Sequence, residues 1–211
     1  LQAGREIGST IKPFIYAAAF SRGLLPGSLV EDAPIRPGEL ADDSGSWSPE
    51  NSDGKFLGFA PAAVGLIRSR NAMTVRVGNY AGMDTVLALL RDAGIGVPDQ
   101  VSPQIYIGNT GSTLKSLTAA MSIFPNGGVR RRPFLIRRVE DANHETIYET
   151  PVLENDVLPP SIAQMTGRVL ERIMTEGTAA ASRSQFGFKE KAGGKTGTTN
   201  HYHDAWFAGH T

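Results

Sequence analysis

The stretch Gly-Ser-Thr-Ile-Lys-Pro-Phe at residues 8–14 places a hydroxyl group and an amine three residues apart, where a helix is predicted to begin. Proline lacks an N–H group and is tolerated only in the first turn of a helix, so Pro13 fixes the start near Ser9 or Thr10. Residues three apart share a helical face, so we expect the Lys12 amine to lie beside the Ser9 hydroxyl. This spacing favours a serine nucleophile that a neighbouring amine activates.

A lysine can serve as a base only when it is neutral, which requires burial and a cationic neighbour. The N-terminus of the predicted helix adds free N–H groups and positive potential, which suit a developing oxyanion. Gly23 is expected to end the helix. The start of this stretch therefore contains groups that an acyl-transfer site needs.

The same serine-to-lysine spacing occurs twice more, at Ser52/Lys55 and Ser112/Lys115, so spacing alone does not select Ser9. Ser52 precedes an Asp-Gly pair with turn chemistry, where this spacing does not bring side chains together. Ser112 also opens a helical run, and its simpler interpretation is a helix N-cap. The choice among the three serines therefore depends on motifs further along the chain.

Composition excludes several classes of function. The 211 residues include 21 Lys+Arg and 21 Asp+Glu, so the formal net charge is zero, and no long basic run offers a footprint for nucleic acid or anionic lipid. There is no cysteine, which excludes a disulfide framework, a thiolate metal site and a cysteine nucleophile. No apolar run approaches the roughly 18 to 20 residues needed to span a bilayer, and no signal peptide opens the chain. Because the chain begins just before its best motif and stops in a strand-like run, we expect a fragment of a longer protein.

Hydrophobic periodicity and turn residues predict the elements between the motifs. Helices are expected at 61–68, 71–80, 83–93, 114–124 and from 159–161 to Gly177. A hairpin is expected from 134–139 and 146–149, and two antiparallel strands from 192–199 and 204–207. Residues 24–60 are rich in Pro, Gly, Asp and Ser, and we expect a long loop there that is functional or packed over the site.

Ser69 and Asn71 follow the helix expected at 61–68. Residues two apart do not share a helical face, so these side chains aim at one target only if the segment leaves helical geometry. We therefore expect a break in the helical backbone between the two predicted helices.

Lys195-Thr196-Gly197 lies on an expected strand. On a strand, Lys195 and Gly197 share one face, whereas Thr196 and Thr198 share the other. Gly197 is expected to let a ligand come close to the backbone. The sequence does not match a phosphate-binding loop here, because that motif needs a glycine where this chain has Lys189.

The motifs Ser-x-x-Lys, Ser-x-Asn and Lys-Thr-Gly, in that order, form the set found in penicillin-binding proteins and serine β-lactamases. In this chain they are Ser9/Lys12, Ser69/Asn71 and 195–197. The last two motifs occur once each, and the order disqualifies Ser112, which follows the only Ser-x-Asn. Ser9 is therefore the predicted nucleophile.

The resemblance extends beyond the three motifs. It includes Gly-Ser-Thr-Ile-Lys-Pro-Phe-Ile-Tyr-Ala-Ala at 8–18, Ser-Pro-Glu-Asn at 48–51, Asp-Gly-Lys at 53–55, Phe-Pro-Asn-Gly-Gly at 124–128, Lys-Thr-Gly-Thr-Thr-Asn at 195–200 and Asp-Ala-Trp-Phe at 204–207. Together these stretches resemble the transpeptidase domain of class A (bifunctional) penicillin-binding proteins, in the penicillin-binding and serine β-lactamase-like superfamily. The chain departs from the family pattern at Pro61, where a helix-capping threonine is usual, and at His201/His203 in a variable turn.

This resemblance implies an α+β fold, with an antiparallel sheet packed with helices on both sides, and a single domain over residues 1–211 that lacks part of the sheet at both ends. It implies a serine-type D,D-transpeptidase that cross-links peptidoglycan stem peptides ending in D-Ala-D-Ala and is acylated by β-lactam antibiotics. It also implies a location outside the cytoplasmic membrane, through a missing N-terminal anchor, with a possible glycosyltransferase domain upstream.

Site roles follow from the resemblance residue by residue. Ser9 would be the acylated nucleophile and Lys12 its base, while Ser69 would relay a proton to the leaving amine. Asn71 would hold the substrate amide, and Lys195 would keep Lys12 deprotonated. Thr196 and Thr198 would bind the terminal carboxylate beside Gly197, and the N–H groups of Ser9 and Thr198 would form the oxyanion hole.

No cofactor and no metal are expected. His201 and His203 lie in a short polar turn without a partner cluster, so surface histidines are the simpler interpretation, as they are for His144 and His210. Trp206 and Phe207 are expected in the core rather than as a ligand platform.

Three alternatives remain open at this point. A β-lactamase would need a group that activates water, and no Glu-x-x-Leu-Asn of that kind is present. A D,D-carboxypeptidase would use water as the acceptor, and a sensor would be acylated by a β-lactam without turnover. The residues alone do not separate the last two from a transpeptidase.

Overall fold

The computed structural model describes residues 3–40, 47–199 and 204–211, and its helices and short antiparallel strands confirm the predicted α+β class. The α-helices are α1 (Lys12–Ser21), α2 (Ala62–Ile67), α3 (Asn71–Ala81), α4 (Met83–Ala93), α5 (Leu114–Met121), α6 (Pro160–Glu176) and α7 (Ala181–Ser184). The strands are β1 (Arg5–Glu6), β2 (Leu29–Asp32), β3 (Gly58–Pro61), β4 (Gly111–Ser112), β5 (Val129–Arg131), β6 (Arg138–Glu140), β7 (Thr146–Glu149), β8 (Glu154–Asp156), β9 (Gly193–Thr198) and β10 (Ala205–His210). Two 3-10 turns lie at Gly8–Ile11 and Pro103–Ile107.

The described strands pair as two-stranded antiparallel sheets rather than as one continuous sheet. The pairs are β1 with β4, β2 with β3, β5 with β8, β6 with β7 and β9 with β10. The β9–β10 pair has the longest register, with Gly193 opposite His210 at one end and Thr198 opposite Ala205 at the other. It packs against α6, α5 and the 3-10 turn at Gly8–Ile11.

Helix α1 forms the centre of the core. Its residues from Lys12 to Phe20 are all buried, because the sequence is apolar on every face of the helix rather than on one stripe. It packs against α3, α6 and α4, and the Phe14 and Phe124 rings lie 5.2 Å apart between centroids. A helix buried this completely gives the residues at its N-terminus little freedom to move.

Most predicted helices are confirmed, with small shifts at their ends. Pro61 precedes α2 instead of opening it, and α5 ends at Met121, three residues earlier than expected, where a series of turns begins. The expected loop at 24–60 contains β2 and leads into β3, which sequence reasoning missed because these strands are four residues long. The hairpin at 134–149 forms only from Arg138, because residues 132–137 make no ladder.

Two predictions about exposed and buried aromatic side chains need correction. Trp206 packs on the core and donates its indole N–H to Glu6 O at 2.9 Å, but Phe207 is 52% exposed. Successive strand residues face opposite sides, so the pair cannot both be buried when one face of β10 is uncovered. His210 is half-buried on β10 rather than a surface residue, whereas His144 is exposed; His201 and His203 lie outside the described residues.

Within the described ranges, no helix is both long enough and apolar enough to cross a membrane.

Candidate active site

Ser9 lies in the 3-10 turn Gly8–Ile11, which leads directly into α1. Pro13 is the second residue of α1, where its missing N–H group is not needed. Gly8 adopts a left-handed backbone with φ +48°, a conformation that favours glycine. The α-helix therefore begins at Lys12, two to three residues later than predicted, and the half-buried Ser9 lies in the 3-10 turn that precedes it.

Lys12 is fully buried, and its amine contacts the residues of the second motif. Lys12 Nζ lies 2.7 Å from Ser69 O, 3.2 Å from Ser69 Oγ and 2.6 Å from Asn71 Oδ1. Among the described residues, none of its hydrogen bonds goes to Ser9, so the expected contact with the Ser9 hydroxyl is not formed. In free enzymes such catalytic hydrogen bonds are often long and tighten only in the substrate complex.

The Ser69–Asn71 segment leaves helical geometry between α2 and α3, as the two-residue spacing requires. Ser69 has φ +56°, a left-handed conformation that is uncommon for a residue with a side chain. Because of this turn, Ser69 Oγ and Asn71 Oδ1 both reach Lys12 Nζ. The strained backbone at Ser69 therefore lies where the three motifs meet.

Lys195 reaches the same hydroxyl from β9. Its Nζ lies 2.9 Å from Ser69 Oγ and 2.9 Å from Thr196 O, and its side chain is fully buried. Burial lowers the pKa of Lys195 to about 7. The structure thus brings one residue of each motif to a single point, Ser69 Oγ.

Burial also lowers the pKa of Lys12 well below its ordinary value, and the positive charges of Lys195 and Arg70 lower it further. The buried carboxylate of Asp32 acts in the opposite direction and raises it. Two buried amines that share one hydroxyl cannot both stay charged at low cost. We assign the neutral form to Lys12, because burial, Lys195 and Arg70 all lower its pKa, whereas burial alone lowers the pKa of Lys195.

When Lys12 is neutral, the donor and the acceptor of each hydrogen bond around its amine can be assigned. A neutral amine has two N–H donors and one lone pair; the carbonyl of Ser69 and the amide oxygen of Asn71 can only accept, so they take both donors. The lone pair then faces Ser69 Oγ, whose hydrogen can point to it. A charged Lys195 donates to the same oxygen from the other side. Protons can therefore pass between Lys12 and Ser69 without any rearrangement of heavy atoms.

The main chain of Thr198 faces the 3-10 turn Gly8–Ile11, which carries Ser9 and is called the nucleophile turn below. Thr199 N donates to Asp204 O at 3.1 Å, one residue beyond the end of the β9–β10 ladder. Because N–H directions alternate along a strand, the Thr198 N–H and C=O groups point to the other edge of β9. Gly8 lies at that edge, since a methyl group added there would be 2.6 Å from Thr198 O.

The space beside Gly197 is occupied by other residues of the protein and is not open to a ligand. A methyl group at Gly197 would lie 2.7 Å from both Ile7 O and Thr10 Cγ2. The expected close approach to its backbone is therefore made by the nucleophile turn. Its contribution to the site is to let β9 pack directly against the residues that carry Ser9.

The two threonines of the third motif lie on the accessible face of β9. Thr196 is half-buried and Thr198 is exposed, as the predicted alternation requires. Thr196 Oγ1 lies 2.6 Å from Thr178 Oγ1, in the segment after α6. Thr178 was missed by sequence reasoning, because no motif marks a threonine that lies 18 residues away and contacts the site only through folding.

Sequence reasoning also missed a polar cluster beneath the second motif. Arg70 points away from Ser69 and Asn71, and its guanidinium contacts Asp32 at 2.8 Å and Asp53 at 2.9 Å. Asp32 and Arg70 are buried, so this ion pair is shielded from solvent. The Ser-x-Asn pattern gives no information about its middle residue, although Ser-Pro-Glu-Asn and Asp-Gly-Lys marked the loop that carries the partners.

The rival serines are placed elsewhere. Ser52 lies in a turn, and Ser112 lies in β4, where its hydroxyl donates to Thr113 O at 3.4 Å. The N-cap of α5 is Thr113, whose Oγ1 accepts the N–H of Ser116 at 3.1 Å, so the prediction of Ser112 as the cap is wrong by one residue. Ser112 is fixed by its pairing with β1, which leaves the cap position to the next residue.

A polar cleft of about 440 Å³ adjoins the motif residues, with Gly8, Asn71 and Thr198 in its lining. Four larger hollows, of about 840, 680, 670 and 570 Å³, lie elsewhere on the described surface, and no residue of the three motifs lines any of them. We take the smaller cleft as the substrate site, because it borders the reacting groups.

The comparisons with known proteins agree with this geometry. The family described as penicillin binding protein transpeptidase domain matches residues 1–211. Penicillin-binding protein 1A of Rickettsia bellii is 33% identical over 236 residues, which cover 100% of this chain and 29% of the relative. The corresponding protein of Neisseria lactamica is 32% identical, over 99% of this chain and 27% of the relative. The chain thus spans less than a third of the length of these curated relatives.

Solved structures share the fold. Penicillin-binding protein 1A from Haemophilus influenzae superposes with a TM-score of 0.88 at 26% identity, over 99% of this chain and 36% of that one. The imipenem acyl-enzyme complex of penicillin-binding protein A from M. tuberculosis gives a TM-score of 0.81 at 19% identity, over 98% and 52%, which shows the fold alone. Because the family match covers every residue and the fold agrees with it, this chain belongs to the penicillin-binding protein transpeptidase domains.

Proposed function

We propose that this domain is a serine D,D-transpeptidase that cross-links peptidoglycan stem peptides ending in D-Ala-D-Ala. The observation that carries the proposal is the position of Ser69 Oγ, 3.2 Å from Lys12 Nζ and 2.9 Å from Lys195 Nζ, with Lys12 at the start of the helix that follows Ser9. Acyl transfer needs a nucleophile, a base, a proton relay and paired donors on one side of the carbonyl. We assign these parts to Ser9, Lys12, Ser69 and the N–H groups of Ser9 and Thr198, and the contacts among the three motifs support the assignment.

In the acylation half-reaction, the amine of Lys12 turns its lone pair from Ser69 Oγ to Ser9 Oγ in the substrate complex. Ser9 Oγ attacks the carbonyl carbon of the penultimate D-Ala, and neutral Lys12 takes the hydroxyl proton. The negative charge that develops on the carbonyl oxygen is stabilised by the N–H groups of Ser9 and Thr198. The direction of the Thr198 N–H group, away from β10 and toward the turn at Gly8, supports this role.

Collapse of the tetrahedral intermediate expels the terminal D-Ala as an amine, which needs a proton. Lys12 returns its proton through Ser69 Oγ to that nitrogen, while Lys195 stabilises the relay by donating to the same oxygen. An amine from a second stem peptide then attacks the acyl-enzyme, and the same groups move the protons in the reverse direction. One peptide bond is broken and one is formed, and one amine is released while another is consumed.

Substrate binding is assigned to the accessible groups around this centre. Asn71 Nδ2 donates one hydrogen to Glu50 O at 2.7 Å, which leaves its second N–H for a substrate amide carbonyl. Thr196 and Thr198 hydroxyls, with the positive charge of Lys195 behind them, suit the terminal carboxylate of the substrate.

β-Lactam antibiotics present an acyl group to the same nucleophile, so we expect covalent acylation of Ser9. Incubation of the full-length protein with a D-Ala-D-Ala stem peptide and an amine acceptor tests the proposal. Cross-linked product supports a transpeptidase, release of D-Ala without cross-linking indicates a carboxypeptidase, and rapid hydrolysis of penicillin indicates a β-lactamase. Stable acylation without any peptide turnover indicates a sensor and would overturn the proposal.

The substrate also implies where the full-length protein works. Stem peptides lie on the outer side of the cytoplasmic membrane, so we propose an extracytoplasmic location with an anchor supplied by another part of the protein. A glycosyltransferase domain upstream is part of the same proposal, because the chain resembles the transpeptidase domain of class A (bifunctional) penicillin-binding proteins. Recovery of the full-length protein as a cytosolic species would contradict this location.

A further inference from the structure

Helix α3 begins at Asn71, and no side chain close to it in sequence makes a capping hydrogen bond at its N-terminus. Its N-cap residue is Arg70, whose side chain makes no capping hydrogen bond and is paired with Asp32 instead. The first N–H groups of a helix have no partner within the helix and need an acceptor from elsewhere. The N-terminus of α3 therefore depends on a residue outside the Ser69–Asn71 segment.

That acceptor is Asn51, which is twenty residues earlier in the chain. Asn51 Oδ1 accepts the N–H of Asn71 at 2.7 Å and lies 3.4 Å from the N–H of Ala72. The adjacent Glu50 carbonyl accepts from the Asn71 side chain at 2.7 Å. Both the main chain and the side-chain amide of Asn71 are therefore held by two consecutive residues of one loop.

Asn51 is itself fixed in orientation. It is 3% exposed, and its Nδ2 donates to Asp32 Oδ1 at 2.9 Å and to Lys55 O at 3.0 Å. A flipped amide would place a donor against the Asn71 N–H and an acceptor against two oxygens, so only one orientation satisfies every partner. Asp32 in turn accepts from Arg70 Nε at 2.8 Å, which closes a ring of contacts around the Ser69–Asn71 segment.

The position of Asn71 matters because its amide oxygen contacts Lys12 Nζ at 2.6 Å, and its remaining N–H faces the proposed substrate site. A shift of α3 along its axis would move both groups together. We propose that Asn51 is a positioning residue, which caps α3 from a distance and thereby aims Asn71 at Lys12 and at the substrate amide. The inference rests on the proposed acyl-transfer function and adds to it a residue that lies outside the three catalytic motifs and to which the resemblance assigned no role.

The test measures second-order acylation rates of the full-length protein with two β-lactams. Benzylpenicillin carries an acylamino side chain, whereas imipenem carries a hydroxyethyl group in its place. Asn51→Ala should reduce acylation by benzylpenicillin on the order of 10- to 100-fold, because misplacement of a positioned group can cost about that much. Acylation by imipenem should fall less, since it lacks the acylamino group that Asn71 is proposed to bind.

Two further variants separate positioning from loss of folding. In the Asn71→Ala background, Asn51→Ala should add little to the loss with benzylpenicillin, because residues that act through one another are not additive. The exchange Asn51→Asp with Asp32→Asn keeps an acceptor for the α3 N–H groups and a hydrogen bond between the two side chains, and should restore part of the rate. Thr113→Ala, which removes the N-cap of α5, is the matched control and should leave acylation unchanged.

The outcomes are distinct. If the wild type is not acylated at all, the proposed function is wrong. If the wild type is acylated and Asn51→Ala is acylated as fast, or loses rate equally with both β-lactams and additively with Asn71→Ala, then Asn51 does not position Asn71 and the inference is wrong.

Discussion

Lys12 and Lys195 share one hydrogen-bonding partner, Ser69 Oγ, at 3.2 and 2.9 Å respectively, although they come from α1 and β9. Both amines are fully buried. The charge on Lys195 lowers the pKa of Lys12, and burial lowers the pKa of both amines. The site therefore works with one neutral and one charged lysine, and the two can be distinguished by experiment.

The first prediction concerns the nucleophile. Labelled penicillin should attach covalently to Ser9 and to neither Ser52 nor Ser112, because only Ser9 precedes the helix that presents Lys12. Peptide mapping of the acylated protein locates the label, and Ser112→Ala serves as a control that should label normally. Label on Ser112 would overturn the assignment of the whole site.

The second prediction separates the two lysines by pH. Lys12→Ala should nearly abolish acylation at every pH, since loss of a general base typically costs about 10² to 10⁴ in rate. Lys195→Ala removes a charge that lowers the pKa of Lys12, so the Lys12 pKa should rise and the acidic limb of the rate profile should move to higher pH. This variant should be slow at neutral pH and recover in part in alkali; the lost contribution to carboxylate binding should persist.

The measurement is the acylation rate of each variant across pH. It is made after a check that the variant is folded. Recovery of Lys12→Ala at high pH, with a flat profile for Lys195→Ala, would mean that the roles are reversed.

The third prediction concerns stability. The pKa of Lys195 is about 7 in the folded state and is ordinarily 10.5, so the unfolded state binds more protons between these values. The free energy of unfolding should therefore rise with pH from about 7 to about 10. Burial raises the pKa of Tyr16, so above its ordinary value of 10 the unfolded state loses a proton first and stability should fall again.

Urea unfolding of wild type and Lys195→Met at several pH values tests this expectation. Lys195→Met should show a smaller slope between pH 7 and 10, whatever its absolute stability. An equal slope in both proteins would contradict the assignment of a depressed pKa to Lys195.

The fourth prediction concerns the contact between the nucleophile turn and β9. Gly8→Ala should destabilise the fold by roughly 1 to 3 kcal/mol and lower acylation, because φ is +48° and the added methyl group would lie 2.6 Å from Thr198 O. Gly167→Ala is the matched control: no atom lies within 4 Å of the added methyl group, and alanine favours a helix by about 1 kcal/mol over glycine. Thermal unfolding and acylation rates measure both effects, and a neutral Gly8→Ala would show that the close packing is not required.

Sequence patterns predicted the helices well because they depend on local periodicity. Helices α3 and α4 begin within the ranges expected from their apolar spacing and end at Gly82 and Gly94. The strands β2, β3, β5 and β8 were missed, since they are three or four residues long and acquire their partners from distant segments. Local propensity carries little information about such pairings.

The motif residues illustrate the same limit within the site. The order of the three motifs selected Ser9, Ser69 and Lys195, but it did not show that Ser69 Oγ is the atom at which the lysines meet. The expected Ser9–Lys12 contact is absent among the described hydrogen bonds, because carbonyl oxygens of the second motif compete for the amine. Asn51 could not be selected by spacing, since its role depends on a tertiary contact.

The packing of Gly8 and Gly197 also determines which parts of the site can vary. At Gly8 the nucleophile turn meets the main chain of Thr198 without an intervening side chain, and at Gly197 β9 meets Ile7 O and the methyl group of Thr10. The separation between Ser9 and Thr198 is therefore set by van der Waals contact at these two glycines. Substitutions elsewhere in the cleft wall can alter its shape and charge without changing that separation. Resistance to an inhibitor at this site is therefore expected to arise from residues of the cleft wall, because a change in the gap itself would disturb the reaction with the substrate to the same degree.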